Sequence, residues 1–217
     1  MKIHGLMLCI VCFSFLFSCK KDEEPEPVVQ QSSGTSNYGQ LKTGNYWIYQ
    51  IYDVDSLGNA TPTTDFDSCY VAKDTIINGN IYFEMHRPGA TIPNPISYLR
   101  DSATYIVNNY GKIVFSSTDF SSTFSSSYNI APPTDTIYKT ITRMTDKNVS
   151  VSTPAGTFIT SNYQISSTIW PSWVVYFSTL NQNTRYSKDI GIVTETMPIF
   201  LSSSSFKERH LVSYNVN

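Results

Sequence analysis

This chain has little of what a metal site, a nucleic-acid surface or a membrane-spanning helix is made from. Only three of its residues are histidine, and only His86 and His210 lie beyond the first apolar stretch. Neither has neighbours at the spacing of a metal site, so both are expected to be structural, and no cofactor is implied. No block of lysine and arginine occurs and the formal charge is −2, which disfavours nucleic acid as a partner. The longest apolar run, Leu6 to Phe17, makes about 18 Å of helix against a hydrocarbon core of about 30 Å, too short to span. A Gly-x-Ser-x-Gly elbow, a His-Glu-x-x-His helix and a phosphate-cradling glycine loop are missing too. Those arrangements position a nucleophile, a catalytic zinc or a nucleotide. No pattern sets Glu84 and Glu195 across one cleft, as glycoside hydrolysis requires, and alternation puts Glu84 on a solvated strand face. The expectation is a protein that is not an enzyme.

What the first residues do have is the form of an export signal. Lys2 supplies a positive start, the apolar run follows, and the chain turns abruptly charged at Lys20-Lys21-Asp22-Glu23-Glu24. A run of this length suits the h-region of a signal peptide, expected over residues 1–18. Removing it changes the cysteine arithmetic. Of four cysteines, Cys9 and Cys12 leave with the signal and Cys19 becomes the first residue. Only Cys69 is left inside the domain, so no intrachain disulfide is expected, oxidising compartment or not. Cys69 sits in the strand-like run Asp67-Ser68-Cys69-Tyr70-Val71, where a buried apolar thiol with no basic neighbour in sequence is expected.

Leu16-Phe17-Ser18-Cys19 resembles the lipobox of bacterial lipoproteins: an aliphatic residue, a tolerant position, a small residue, then cysteine. Phe17 is bulkier than the usual occupant. The resemblance implies cleavage before Cys19, a diacylglyceryl thioether on its sulfur and an acyl chain on its new amine, which together anchor stably where one chain would not. Lys20-Lys21-Asp22-Glu23-Glu24 is similar to the charged export tag that follows the cysteine in Bacteroidota lipoproteins. It implies an outer-membrane address, on the periplasmic or the cell-surface face. Residues 19–37 read as a tether. Glu24-Pro25-Glu26-Pro27 is stiff and solvated, and Gln30 to Asn37 is small and polar, so neither part buries enough apolar area to offset its ordering entropy.

Residues 38–217 read as one β domain. All 15 tyrosines and all three tryptophans lie beyond the signal, Ser and Thr are abundant, and helix-forming runs of Ala, Leu, Glu and Lys are absent, a balance that favours strands. Tyr46 to Val54 has two apolar faces and is expected to be central and covered on both. Asp55-Ser56-Leu57-Gly58-Asn59 reads as a turn rather than a calcium loop. Asn78-Gly79 is the clearest hairpin, joining strand material over Asp65 to Ile77 with Asn80 to Met85. Arg87 to Pro95 reads as a loop. Short strands follow over Ile96 to Leu99, Thr104 to Val107 and Lys112 to Phe115. In Ser116 to Tyr128 the spacing of Phe120, Phe124 and Tyr128 suits helix and strand equally, and the Ser and Thr enrichment favours strand or loop. Further strands are expected over Asp135 to Thr145, Asn148 to Thr153, Thr157 to Ile165, Trp173 to Thr179, Ile190 to Thr196 and Glu208 to Val216. In the last, Val212, Tyr214 and Val216 alternate against Leu211, Ser213 and Asn215. Such an all-β, mostly antiparallel sheet must curl, close or split into two layers to hide its edges.

Three blocks are similar to a group of uncharacterised secreted lipoproteins: Leu41 to Tyr49, Thr153 to Phe158 and Asp189 to Val193. The resemblance implies a single strongly curved antiparallel sheet, a half-barrel like that of lipoprotein carriers, with a β-sandwich or closed barrel as the alternative. It implies no settled activity. Four triads, beginning at Asp55, Asp74, Asp101 and Asp135, also resemble the O-glycan acceptor pattern of Bacteroidota exported proteins. In Ile169-Trp170-Pro171-Ser172-Trp173, two tryptophans flank a turn. They either plug one end of the core or form a lip or platform for a lipid or glycan ligand. The expected function is a lipid-anchored binding or accessory module. The alternatives are an apolar-ligand carrier and a carbohydrate-binding module using Trp170 and Trp173.

Overall fold

In the computed structural model, which describes residues 37–88, 95–133, 135–198 and 204–217, strands dominate and no α-helix occurs among the described residues. The thirteen strands are β1 (Tyr46–Val54), β2 (Ala60–Ile77), β3 (Asn80–His86), β4 (Ile96–Ser102), β5 (Tyr105–Asn108), β6 (Ile113–Ser116), β7 (Ser125–Ala131), β8 (Asp135–Met144), β9 (Val149–Thr153), β10 (Gly156–Ile169), β11 (Thr179–Ser187), β12 (Gly191–Thr196) and β13 (Phe206–Asn215). They form one open antiparallel sheet in the order β6-β5-β4-β3-β2-β1-β13-β12-β11-β10-β8-β7, with β9 on β10. The all-β single sheet is as expected, and it is neither a sandwich nor a closed barrel. The signal, Cys19 and residues 20–36 of the tether lie outside the described residues, as does most of the Arg87 to Pro95 loop.

Hairpins set the register where the turn residues demand it. Asn78 and Gly79 both have positive φ, 50° and 75°, the geometry a two-residue hairpin needs. Asp55 Oδ1 accepts the backbone N–H groups of Leu57 and Asn59, each at 2.9 Å, which closes the β1–β2 turn. In its pairing with β1, which no hairpin sets, the last strand departs from the expected alternation. β13 carries a bulge opposite Ile48 and Tyr49: Leu211 pairs with Tyr49, but Ser213 pairs with Ile48 and Tyr214 with Trp47. Val212 is the extra residue, so the clean alternation expected along this strand is broken. Arg209 and Leu211 before the bulge, and Tyr214 after it, pair with the buried positions of β1.

β1 is central, between β2 and β13, but only one face is covered. Trp47, Tyr49 and Ile51 are buried, while Tyr46 on the other face is exposed. Among the described residues the sheet is a single layer with a solvent-facing convex side, and no second layer packs over that face. On the concave side Trp47, Tyr49, Cys69, Val71, Met85, Val193 and Leu211 form the main core, each large side chain contributing about 1.5–3 kcal/mol. The polar tips of the two aromatics are satisfied: Trp47 Nε1–H donates to the Ile190 carbonyl at 2.6 Å, and the Tyr49 hydroxyl to that of Ile192 at 3.0 Å. Gly191 makes this approach feasible. Its φ is +102° and a Cβ there would stand 3.1 Å from Trp47 Nε1. Gly191→Ala is expected to lose roughly 1–3 kcal/mol through strain and overpacking. An unchanged urea midpoint would contradict the close contact.

The hollow of the curved sheet is filled by the chain itself. The β5–β6 edge folds inward, so that Ile106 and Phe115 are fully buried against Met144, Tyr163 and Tyr186 from β8, β10 and β11. Phe115 meets Tyr186 and Tyr38 with ring centroids 4.6 and 4.7 Å apart, and the Ser116 N–H points to the Met144 sulfur at 3.4 Å. The tip of the β9–β10 hairpin also closes over the hollow. Ala155 N–H donates to the Leu211 carbonyl at 3.0 Å, next to the β13 bulge, where the regular ladder is interrupted.

The two ends of the sheet differ. Residue 37, where the described chain begins, is held at the β11–β12 turn: Asn37 Nδ2 donates to Asp189 Oδ1 at 2.8 Å, and Asp189 N–H donates back to the Asn37 carbonyl at 2.7 Å. The carboxy-terminal Asn217 lies at this same end, on Asn45. At the opposite end of β11, about 30 Å away at strand rise, lie the β1–β2 turn, the start of β13, the end of β12 and the connection from β10 to β11.

Candidate functional site

The end of the sheet remote from residue 37 carries a charged cluster sunk into the concave face. Asp67 on β2 faces Tyr49, Arg209 on β13 faces Ile51 and Glu195, and β1 lies between β2 and β13. Arg209 therefore reaches across β1. Its guanidinium carbon lies 4.3 Å from the centre of the Tyr49 ring, and Nη1 donates to Asp67 Oδ2 at 3.1 Å. Nη2 touches Glu195 Oε2, which is also 3.3 Å from Nη1 of Arg87, just past the end of β3. Arg209 is 2% exposed. A guanidinium placed there needs both carboxylates and the ring face to offset its lost hydration.

Electrostatics follow the same geometry. Burial works against the charge of Arg209, but Glu195 above all, with Tyr49, Cys69 and Asp67, holds it more firmly protonated than usual. Burial would raise the Glu195 pKa, yet Arg209 and Arg87 overcome it and hold the carboxyl below its ordinary value. The stability linked to Glu195 is therefore present above the ordinary carboxyl range and lost as pH falls through the depressed value. Unfolding midpoints are expected to drop as the medium is acidified below about 4.5. Glu195→Gln should be less stable at pH 7 and show a shallower acid slope; an unaltered slope would contradict the ion pairing.

Cys69 is buried, and burial pushes its thiol pKa up although Arg87 and Arg209 pull it down. The sequence shows no basic residue beside this cysteine; the fold brings two arginine cations near it, and burial still outweighs them.

A cavity of about 220 Å³ opens beside the cluster, lined by Asp67, Arg87, Glu195, Arg209, Gln182 and Met197 among others. Its donors are not all used. Arg87 Nε and Arg209 Nε are buried without a hydrogen-bond acceptor, and Arg209 Nη2 meets Glu195 off the line of its own N–H bonds. Of the four carboxylate oxygens, in contrast, three are engaged. Glu195 Oε2 takes both arginines, and Asp67 Oδ1 accepts the Ser68 N–H at 2.7 Å.

Of the residues singled out in the sequence, Glu195 belongs to this cluster; Glu84, the histidines and the tryptophans lie elsewhere. Glu84 is not on an open face: it is 8% exposed, covered at the convex surface by His86 and Lys73. The His86 hydrogen bond lowers its pKa. His210 pairs with Glu208 at 3.1 Å and stacks on Tyr52 at 4.2 Å. Glu84 and Glu195 thus serve different cations. Among the described residues, no three His, Cys, Asp or Glu side chains gather as a metal site would need.

Trp170 and Trp173 flank a single 3₁₀ turn, Pro171–Trp173, and the strand expected over Trp173 to Thr179 is displaced into β11. Proline at the turn and the run of exposed residues from Pro171 to Tyr176 leave no pairing partner there, whereas Thr179 to Ser187 is paired on both sides. The two rings are 40% and 39% exposed, so they do not plug the core. Trp170 sets its edge on Tyr128 at 6.4 Å, and Trp173 Nε1–H donates to Asp135 Oδ2 at 3.0 Å. They stand at the same end of the sheet as the cavity.

No family model matches the chain, and no curated protein matches it. Among solved structures it is similar to a presumed lipoprotein of Parabacteroides distasonis ATCC 8503, with 14% identity and a TM-score of 0.44, covering 82% of this chain and 98% of that one. It is also similar to a presumed exported protein with a YmcC-like fold from Bacteroides fragilis NCTC 9343, with 12% identity and a TM-score of 0.41 over 82% and 98% of the two chains.

Proposed function

We propose that this protein is a lipid-anchored lipoprotein of the bacterial outer membrane, held through Cys19, and that its β domain is a non-enzymatic binding module. The observation that carries the reading is the polarity of the domain. The chain enters it at the β11–β12 turn, where Asn37 is tied to Asp189, and the cavity with its idle guanidinium donors opens at the other end. On a tether, that end faces away from the lipid and towards solution. Eighteen residues, the number from Cys19 to Ser36, can span at most about 60 Å.

The filled hollow of the sheet speaks against carriage of a long apolar ligand. Phe115, Ile106 and Tyr186 occupy the space an acyl chain would take. A second reading, glycan contact, draws on the exposed Trp170, Trp173, Tyr128 and Tyr176, since half-exposed aromatic faces suit sugar rings.

Fractionation tests anchoring. Expressed in a lipoprotein-processing host, the native chain is expected in the membrane pellet and Cys19→Ser in the soluble envelope fraction. Equal release of both would end the anchored reading. A glycan array on which the native chain and Trp170→Ala give the same blank would end the second.

A further inference from the structure

We propose that the cavity at the remote end of the sheet is a binding site for a small monocarboxylate with an apolar body, its carboxylate seated on Arg87 and Arg209. This deepens the binding-module reading and rests on it, but not on Cys19.

Donors decide the sign of the ligand. Buried N–H groups are nearly always paired, and each left without an acceptor costs about 1–3 kcal/mol. Here Arg87 Nε and Arg209 Nε are both buried and unpaired, and both arginines line one cavity. Arg209, at 2% exposure, has no recourse to bulk water. A cation is the poorer fit, because three of the four carboxylate oxygens, Glu195 Oε2 and both of Asp67, are already engaged. An acceptor is what is missing.

Charge and shape narrow the class. Two arginines against Asp67 and Glu195 make the cluster formally neutral, so a dianionic phosphate would stand beside two carboxylates with no spare positive charge. A single carboxylate adds one charge and matches the planar donors of a guanidinium. The volume, about 220 Å³, equals roughly seven water molecules at about 30 Å³ each. Beside the charged residues the lining holds Met197 and Pro198, with Gln182 and Thr196, which gives a compact apolar body a surface to contact.

Benzoate is the probe, titrated into the full chain in detergent and followed by calorimetry and by the amide spectrum. Saturable binding is expected, with benzamide and phenylphosphate each at least tenfold weaker. Arg87→Gln should weaken benzoate at least tenfold. Met197→Trp, which fills the cavity and leaves every charge in place, should abolish it, and Tyr110→Ser, on the exposed β5–β6 turn, should leave it unchanged. Both cavity variants are checked for the native melting transition first. No saturable binding up to the solubility limit of benzoate would overturn the proposal. So would binding that survives Met197→Trp, or phenylphosphate binding more tightly than benzoate. A blank benzoate titration beside normal membrane fractionation would leave the anchored module standing and remove only the carboxylate.

Discussion

Replacing Arg209 with methionine is expected to lower the unfolding free energy by about 3–5 kcal/mol, the usual effect of stripping one partner from a buried ion pair. Asp67 Oδ2 would lose its donor at 3.1 Å, and Tyr49 the cation over its ring. Glu195 would be left with Arg87 alone. For a domain of this size each kcal/mol moves the melting temperature by about 2–4 °C, so a drop of roughly 6–20 °C should be seen. The cause is the orphaned carboxylate, not the loss of a strong bond. Combining Arg209→Met with Asp67→Leu and Glu195→Met should therefore recover most of the loss, since apolar replacement of a whole buried ionic set is often neutral or better. If the triple variant were no more stable than Arg209→Met, the loss would have to be one of packing.

Phe115→Ala should cost a similar amount, about 3–5 kcal/mol, by emptying a fully buried aromatic position. Phe115 has no exposure and stands between Tyr186 and Tyr38, so the void cannot be refilled by a neighbour without moving two rings. A second consequence separates this variant from an ordinary core mutant. With Phe115 gone the hollow of the sheet opens, and a hydrophobic dye that ignores the native protein should bind the folded variant. Retained stability with no dye uptake would mean that the β5–β6 edge does not fill the hollow.

Much of the fold could be read from local chemistry. β1 has the bounds its aromatic alternation implies, and the Asn78-Gly79 hairpin forms where both residues tolerate positive φ. β11 was missed because Thr179-Leu180-Asn181-Gln182-Asn183-Thr184-Arg185 has no apolar alternation. It is a strand because its polar groups are satisfied sideways: Asn183 Oδ1 accepts from Asn162 and Gln164, and Arg185 pairs with Asp146. Cross-strand satisfaction of that kind depends on residues about 20 or more positions away and leaves no local signature. The β13 bulge was equally hidden, since strict alternation of Val212, Tyr214 and Val216 looked regular.

The charged cluster had left a trace. Asp67 shares strand parity with Cys69 and Val71, and Arg209 with Leu211. A charge at the apolar parity of a strand either faces a partner or should not be there. Arg87 and Glu195 carried no such mark; only the order of the sheet brings them together. Trp170 and Trp173 stood out in the sequence, but tertiary structure alone decides whether a loop tryptophan turns inward or out.

Cys19 lies outside the described residues, and the reading of the domain as a tethered module depends on it. The most direct measurement is the intact mass of the protein extracted from the membranes of its native host. The expected mass is that of a chain beginning at Cys19 and carrying a diacylglyceryl group on the sulfur and an acyl chain on the amine. A mature chain that starts upstream of Cys19, or that starts there with a bare thiol, would contradict it.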